Sequence, residues 1–351
     1  MQDTITKLFQ WAVVGAGPSG IAAVGKLLDN KISPNDILWV DPNFKVGDFG
    51  LLWSSVSSNT KVRTFIDFLE AIHFFAFNKV AHQFNLMHLN PDDTCILSDM
   101  VAPLQWVTDK LMKAVVTKHT RIDTISLSKQ TWSLCSKKDL FKAKNIILST
   151  GAVPNRLHYP NVETIPFEDA IDKSKLAKVI DLNETCAVFG SSHSAIIIIR
   201  HLVELGIKKV VNIYRSPCRY AIDMGTWTLF DNTGLKGHTA EWAREHIDGT
   251  LPNNLVRYKT NDEDVLGYLA DCDKVIYAVG FEKRNSVVID GFEEICHNPH
   301  TGILAPGLFG FGIAYPELKT DPVGNVESQV GLWKFMVYLN KAMPLWFKYT
   351  T

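Results

Sequence analysis

A four-residue apolar run, Trp11 to Val14, empties into Gly15-Ala16-Gly17-Pro18-Ser19-Gly20 and then into an apolar-periodic stretch, Ile21 to Leu28. Few folds accept three glycines at this spacing between a buried strand and a helix. Gly15 permits a tight turn, Gly17 lets another group approach the backbone, and Gly20 lets helix and strand pack closely. The helix that follows starts with unpaired N–H groups and a positive dipole end, which suit a phosphate. A second apolar run, Ile37 to Val40, ends in Asp41, some twenty-odd residues past the glycines, where an acid bonds ribose hydroxyls. A glycine turn alone can serve packing. Strand, helix and acid together point to a bound dinucleotide, with Pro18 and Ser19 completing its cradle.

At 351 residues the chain is long enough for two domains. Apolar residues at 46% and charged residues at 21% allow an ordinary core. The net charge of -1 offers nucleic acid no electrostatic footprint, and no such partner is expected. The opening MQDTITKLFQ has no apolar core of signal-peptide length. No run approaches the roughly 20 apolar residues of a membrane span; Ala195 to Ile199 is closed by Arg200. The expectation is a soluble cytoplasmic protein acting on a small molecule, with no membrane partner. The six cysteines lie in no C-x-x-C or zinc spacing, and they read as reduced core thiols.

Past Asp41, Pro42 opens a loop running to Trp53, with Gly47 and Gly50 inside it, which can set glycine backbone and an aromatic ring beside a flat ligand. A polar turn holding Asn59 and Lys61 follows. Thr64 to Leu89 carries Phe65, Phe68, Phe74, Phe75, Phe77 and Phe84, with His73, His82 and His88. It reads either as the core face of a helical hairpin or as an apolar wall over a pocket. The histidines have no metal-ligand spacing, so no metal is expected. Val101 to Val116 has helical spacing, and strands are expected at Arg121–Leu127, Thr131–Cys135 and Asn145–Leu148. The last strand breaks at Ser149-Thr150-Gly151, where a first domain would hand over to the next.

From Thr185 the pattern repeats. Cys186 to Phe189 is apolar, and Gly190-Ser191-Ser192-His193-Ser194-Ala195 opens another helix. Ser192 and Ala195 stand where the second and third glycines would be. They are still small, and serine hydroxyls can donate to phosphate. The following strand, Lys209 to Tyr214, ends in Arg215 rather than an acid, and a fixed planar cation suits a 2′-phosphate; this favours NADPH over NADH. Lys274 to Ala278 is another buried strand, closed by Val279-Gly280. Leu308 to Gly312 reads as a strand returning to the first sheet, and Asn325 to Asn340 as a terminal helix capped by Asn325.

This order of elements resembles flavoproteins with two dinucleotide-binding domains, the superfamily of pyridine nucleotide–disulfide reductases and flavin-containing monooxygenases. The resemblance implies an α/β fold of two three-layer, Rossmann-like domains. It implies an FAD domain over 1–178, an inserted NAD(P)H domain over 179–290, and the return of the FAD domain over 291–351. It implies FAD on Gly15, Gly17, Gly20 and Asp41, and NADPH on Gly190, Ser192 and Arg215, with Thr150-Gly151 and Val279-Gly280 as interdomain turns. Val56 to Lys61, followed by Phe65 and Asp67-Phe68, is similar to the monooxygenase stretch V-x-x-N-x-x-K…F-x-D-F; Lys61 falls one residue early, and the F-x-D-F match is displaced by two. There the asparagine lies by the reactive edge of the flavin, so the resemblance gives Asn59 the catalytic place. The family's Gly-Asp over the ribityl chain is here Gly312-Ile313, the monooxygenase F-x-G-x-x-x-H-x-x-x-F/Y is lacking, and so is the reductases' cysteine pair. The implied activity is NADPH-driven, flavin-dependent hydroxylation of a small nucleophile. Two alternatives stay open: an NAD(P)H:acceptor oxidoreductase passing electrons to a quinone or protein, and a dinucleotide-binding protein without turnover.

Overall fold

A computed structural model describes residues 7–259, 265–292 and 295–349. The first six residues, where no leader is expected, lie outside the described residues. The chain forms two compact units: Met1–Ala152 with Lys283–Thr320 and Ser328–Thr351, and Val153–Glu282 with Asp321–Glu327. The second is thus inserted into the first. Residues 153–178 pack with the second unit, since strand Glu163–Thr164 pairs there with strand Lys274–Tyr277.

In the first unit, strand Leu8–Val14 pairs in parallel with Ile37–Val40 on one side and Leu140–Leu148 on the other. Ile37–Val40 pairs in turn with Val116–Lys118. The run Trp11–Val14 is fully apolar because both faces of this sheet are covered. Trp11 and Val13 join the core shared with helices Pro18–Asp29, Ser98–Ala114 and Leu332–Trp346. Ala12 and Val14 face the core beneath the antiparallel strands Thr124–Ser128 and Thr131–Cys135. Three layers result: helices, parallel sheet, antiparallel meander.

The nine-residue strand Leu140–Leu148 branches. Its first half, Leu140 to Ala143, pairs with the meander; its second half, Ile146 to Leu148, pairs in parallel with the return strand Leu308–Gly310. The second unit is a simpler parallel sheet. Its strands run in the order Glu163–Thr164, Lys274–Tyr277, Thr185–Phe189, Lys209–Tyr214, Leu255–Lys259.

Two expectations are corrected. The terminal helix is Leu332–Trp346, not 325–340. Asn325 is spent on a turn: its N–H and its side-chain amide both donate to Asp321, at 2.8 and 2.9 Å. Val326–Gln329 is a strand with alternating exposure, and Gly331, at φ 142°, begins the helix. The phenylalanine-rich stretch is core rather than pocket wall, but it is no hairpin. After helix Val62–Glu70 it runs through short 3-10 turns, with Ala76 at φ 49°, and it buries Phe65, Phe68, Phe75 and Phe77. His73, His82 and His88 are exposed, and no group able to hold a metal occurs among the described residues.

Candidate functional site

The carboxyl ends of the first unit's strands meet at one place. Gly15 N–H donates to Val40 O, Ser149 N–H to Val14 O, and Phe311 N–H to Leu148 O. That edge is where an open α/β sheet binds its ligand. Gly15 has φ 110°, and a Cβ there would lie 2.2 Å from Ser149 O. A Cβ on Gly20 would lie 2.0 Å from Gly15 O. Both positions therefore exclude any side chain. Gly17 differs: nothing lies within 4 Å of where its Cβ would be. It caps helix Pro18–Asp29 with extended backbone and no side-chain hydrogen bond, so the first N–H groups of that helix have no cap.

Other expected residues gather on this turn. Gly47, at φ 58°, begins helix Gly47–Leu51 and stands against Gly17, whose Cα is 2.9 Å from a Cβ built at Gly47. Gly312 abuts Ser19, whose Oγ would be 2.3 Å from a Gly312 Cβ. Asp41 is buried. Its Oδ2 accepts from Ala16 N–H at 2.8 Å, and its Oδ1 accepts from Asn43 and Phe44 N–H, each at 2.8 Å. A carboxylate has about four lone-pair sites, so one remains for a ribose hydroxyl. Trp53 is half-buried, and its N–H donates to Asp48 O. Pro42 is exposed. Asn59 is exposed on strand Ser57–Lys61, where it accepts from Thr60 Oγ1 at 3.3 Å; among the described residues no hydrogen bond ties it to the glycine turn.

Several contributors were not legible in the sequence. Trp39 Nε1 donates to Gly15 O at 2.9 Å and fixes the turn from below. Arg284 N–H donates to Gly151 O, and its guanidinium pairs with Asp48 at 2.5 Å, tying the Thr150-Gly151 turn to helix Gly47–Leu51. Ser149 Oγ and Thr150 Oγ1 are buried with no hydrogen-bond partner. Buried hydroxyls are rarely left so; both follow the end of strand Leu140–Leu148, and Ser149 stands against Gly15 and Gly20 of the turn. The open cradle, the bare helix start and the orphaned hydroxyls fit a pyrophosphate-bearing group.

The second unit repeats the geometry. Gly190 N–H donates to Ile213 O and Ala278 N–H to Phe189 O. Gly190 has φ 119°, and its Cβ would lie 2.3 Å from Ala278 O, which sets the Val279-Gly280 turn beside it. Ser192 caps helix His193–Leu205 with extended backbone and no side-chain bond, as Gly17 does in the first unit. Ser191 Oγ donates to Ser216 O at 2.7 Å, bringing the turn to the residue after Arg215. Arg215 is exposed and has no ion-pair partner among the described residues. Ser194 is half-buried in the first helical turn, and Gly280 is exposed.

Four of the thiols lie in environments that hold them protonated. Cys95, Cys135, Cys186, Cys218 and Cys272 are in no disulfide. Burial pushes Cys95 and Cys272 up to about 11, and it drives Cys186 higher still. Burial raises Cys218 too, although Arg257 partly opposes it. Thiol–disulfide exchange needs a thiolate, and these environments disfavour one.

The family model described as pyridine nucleotide-disulphide oxidoreductase matches residues 9–297. The chain belongs to that family. Like other pyridine nucleotide-disulphide oxidoreductases it is an enzyme, and the alternative without turnover falls away. Monooxygenase AgnR1 of Paecilomyces divaricatus is 31% identical over 382 residues, covering 95% of this chain and 97% of that protein. A flavin-containing monooxygenase from Stenotrophomonas maltophilia matches with a TM-score of 0.66 at 14% identity, covering 98% and 99% of the two chains. The ornithine N-hydroxylase of Kutzneria sp. 744, in complex with reduced FAD, NADP+ and L-ornithine, matches with a TM-score of 0.68 at 13% identity over 97% and 99%. The two solved structures share this chain's α/β fold. No helix among the described residues is long and apolar enough to cross a membrane.

Proposed function

We propose that this oxidoreductase is an FAD-dependent monooxygenase that takes its electrons from NADPH and hydroxylates a small nucleophilic substrate. The observation that carries the reading is a pair of matching uncapped helix starts in a sequence with no C-x-x-C pair. The near-full-length likeness to a monooxygenase supports it. FAD would lie on the Gly15–Gly20 turn, within reach of Ser149 and Thr150, with Asp41 at its ribose. NADPH would lie on Gly190, Ser191, Ser192 and Ser194, with Arg215 at its 2′-phosphate. When bound, FAD supplies the redox chemistry that couples a hydride donor to oxygen. The chain's own residues bind and orient: backbone N–H groups hold diphosphates, and Arg215 selects between nicotinamide cofactors. A cytoplasmic place and a small-molecule substrate belong to the same reading.

The purified protein is expected to be yellow and to bleach under anaerobic NADPH. Oxygen uptake should then rise with the right amine or thioether and yield a hydroxylated product. Turnover with artificial acceptors under nitrogen, with no oxygenated product from any candidate, would replace this reading with an NADPH:acceptor oxidoreductase. Arg215→Ser is expected to lower kcat/KM for NADPH by about tenfold or more while sparing NADH, as loss of a charge-assisted phosphate contact requires. Equal losses for both cofactors would remove Arg215 from the 2′-phosphate.

A further inference from the structure

The two glycine turns are held from below at the same slot of their sheets. In the first unit Trp39 pairs in register with Val13, two residues before Gly15, and donates to Gly15 O. In the second unit Asn212 pairs with Val188, two residues before Gly190. Its Nδ2 donates to Gly190 O at 2.8 Å and to Val188 O at 3.0 Å. An indole has one N–H and one way to present it. A buried amide has two orientations, and the wrong one sets its oxygen against two carbonyls.

Arg257 removes that ambiguity. It pairs with Asn212 across strands Lys209–Tyr214 and Leu255–Lys259, and its Nε donates to Asn212 Oδ1 at 2.9 Å. Asn212 is completely buried, so its oxygen depends on this donor. The guanidinium also lies over the ring of Tyr214, 4.3 Å from the centroid, and Tyr214 is the residue before Arg215. One side chain thus orients the amide behind the phosphate turn.

We infer that Arg257 is a positioning residue for the second dinucleotide site, acting through Asn212 on Gly190 without touching the cofactor. The inference rests on the reading of that site as the NADPH site. It differs from the role of Arg215 in a measurable way. A misplaced turn weakens the diphosphate grip common to NADPH and NADH, so affinity falls while the preference between them stays.

The test uses the flavin-containing enzyme, with NADP+ titrations and steady-state kinetics for both cofactors. Arg257→Met is expected to raise KM for NADPH and for NADH by about tenfold each, with kcat at saturation within about twofold and flavin content unchanged. Asn212→Leu is the second variant: a leucine of similar volume needs no partner in the buried strand, and it should show the same rise. The double variant should be no worse than Asn212→Leu alone, because the arginine acts through the amide. An unchanged KM in either folded variant, additive losses in the double variant, or a lost NADPH preference like that of Arg215→Ser would overturn the inference. If the wild-type enzyme itself neither binds NADP+ nor oxidises NADPH, the functional reading fails and takes this inference with it. If the wild type does both, a failure here is that of Arg257 alone.

Discussion

Gly17→Val is expected to yield a folded protein that has lost its flavin. At φ -76° and ψ 179° the residue has ordinary extended backbone, open to any side chain. Apart from its chain neighbours, no protein atom lies within 4 Å of the new Cβ, so the apoprotein should keep its stability to within about 0.5 kcal/mol. The added methyls fill the space that a diphosphate would need above the bare helix start. Overpacking of this kind costs about 1–3 kcal/mol, and lost backbone contacts add to it, so FAD affinity should fall by about 100-fold or more. Visible absorption of the purified variant and FAD titration of the apoprotein check this. A yellow Gly17→Val protein of normal affinity would move the flavin away from this turn. Gly20→Ala offers the contrast. Its Cβ would meet Gly15 O at 2.0 Å, so it should damage folding and binding together.

Asp41→Ala is expected to destabilise the apoprotein strongly. It removes the acceptor for three backbone N–H groups, those of Ala16, Asn43 and Phe44. Hydrogen bonds to a charged group contribute about 1.5–3 kcal/mol each, and bonds that share one carboxylate do not add fully. A total of about 3 kcal/mol follows, or about 6–12 °C in the melting temperature of the apoprotein. Asp41→Asn should lose less, because its Oδ1 can still accept from Asn43 and Phe44. The measurement is thermal unfolding without added flavin. A melting temperature unchanged in Asp41→Ala would mean that the carboxylate serves the ligand and not the turn.

Much of this arrangement is legible in the sequence where the governing physics is local. Trp11–Val14 and Lys209–Tyr214 read as strands because each run is short, apolar and bounded by a turn. Gly15 and Gly20 could be read as positions that tolerate no Cβ because a tight strand–helix turn demands this locally. The return strand Leu308–Gly310 was legible for the same reason. What escaped depended on partners distant in sequence. Val326 and Val330, four apart, satisfy helical spacing and strand alternation equally, and only Gly331 with the Asp321 turn decides for the strand. Asp41 announced an acid, not that three amides occupy most of it. Trp39, Asn212 and Arg257 looked like ordinary strand residues, because their roles exist only once register sets them beneath a turn. Arg284 and Asp48, far apart in sequence, gave no sign of meeting. The phenylalanine-rich stretch had core composition, but positive φ at Ala76 broke the helix that its spacing promised.

The branched strand Leu140–Leu148 bears on how this protein is made. Its second half stays an open edge until Leu308–Gly310 arrives, and the core behind it also waits for Leu332–Trp346. A chain emerging from the ribosome presents the whole Val153–Glu282 segment before either of those pieces exists. The parallel sheet of the inserted unit can therefore form during translation, while the sheet of the first unit is completed only when Leu308–Gly310 has been made.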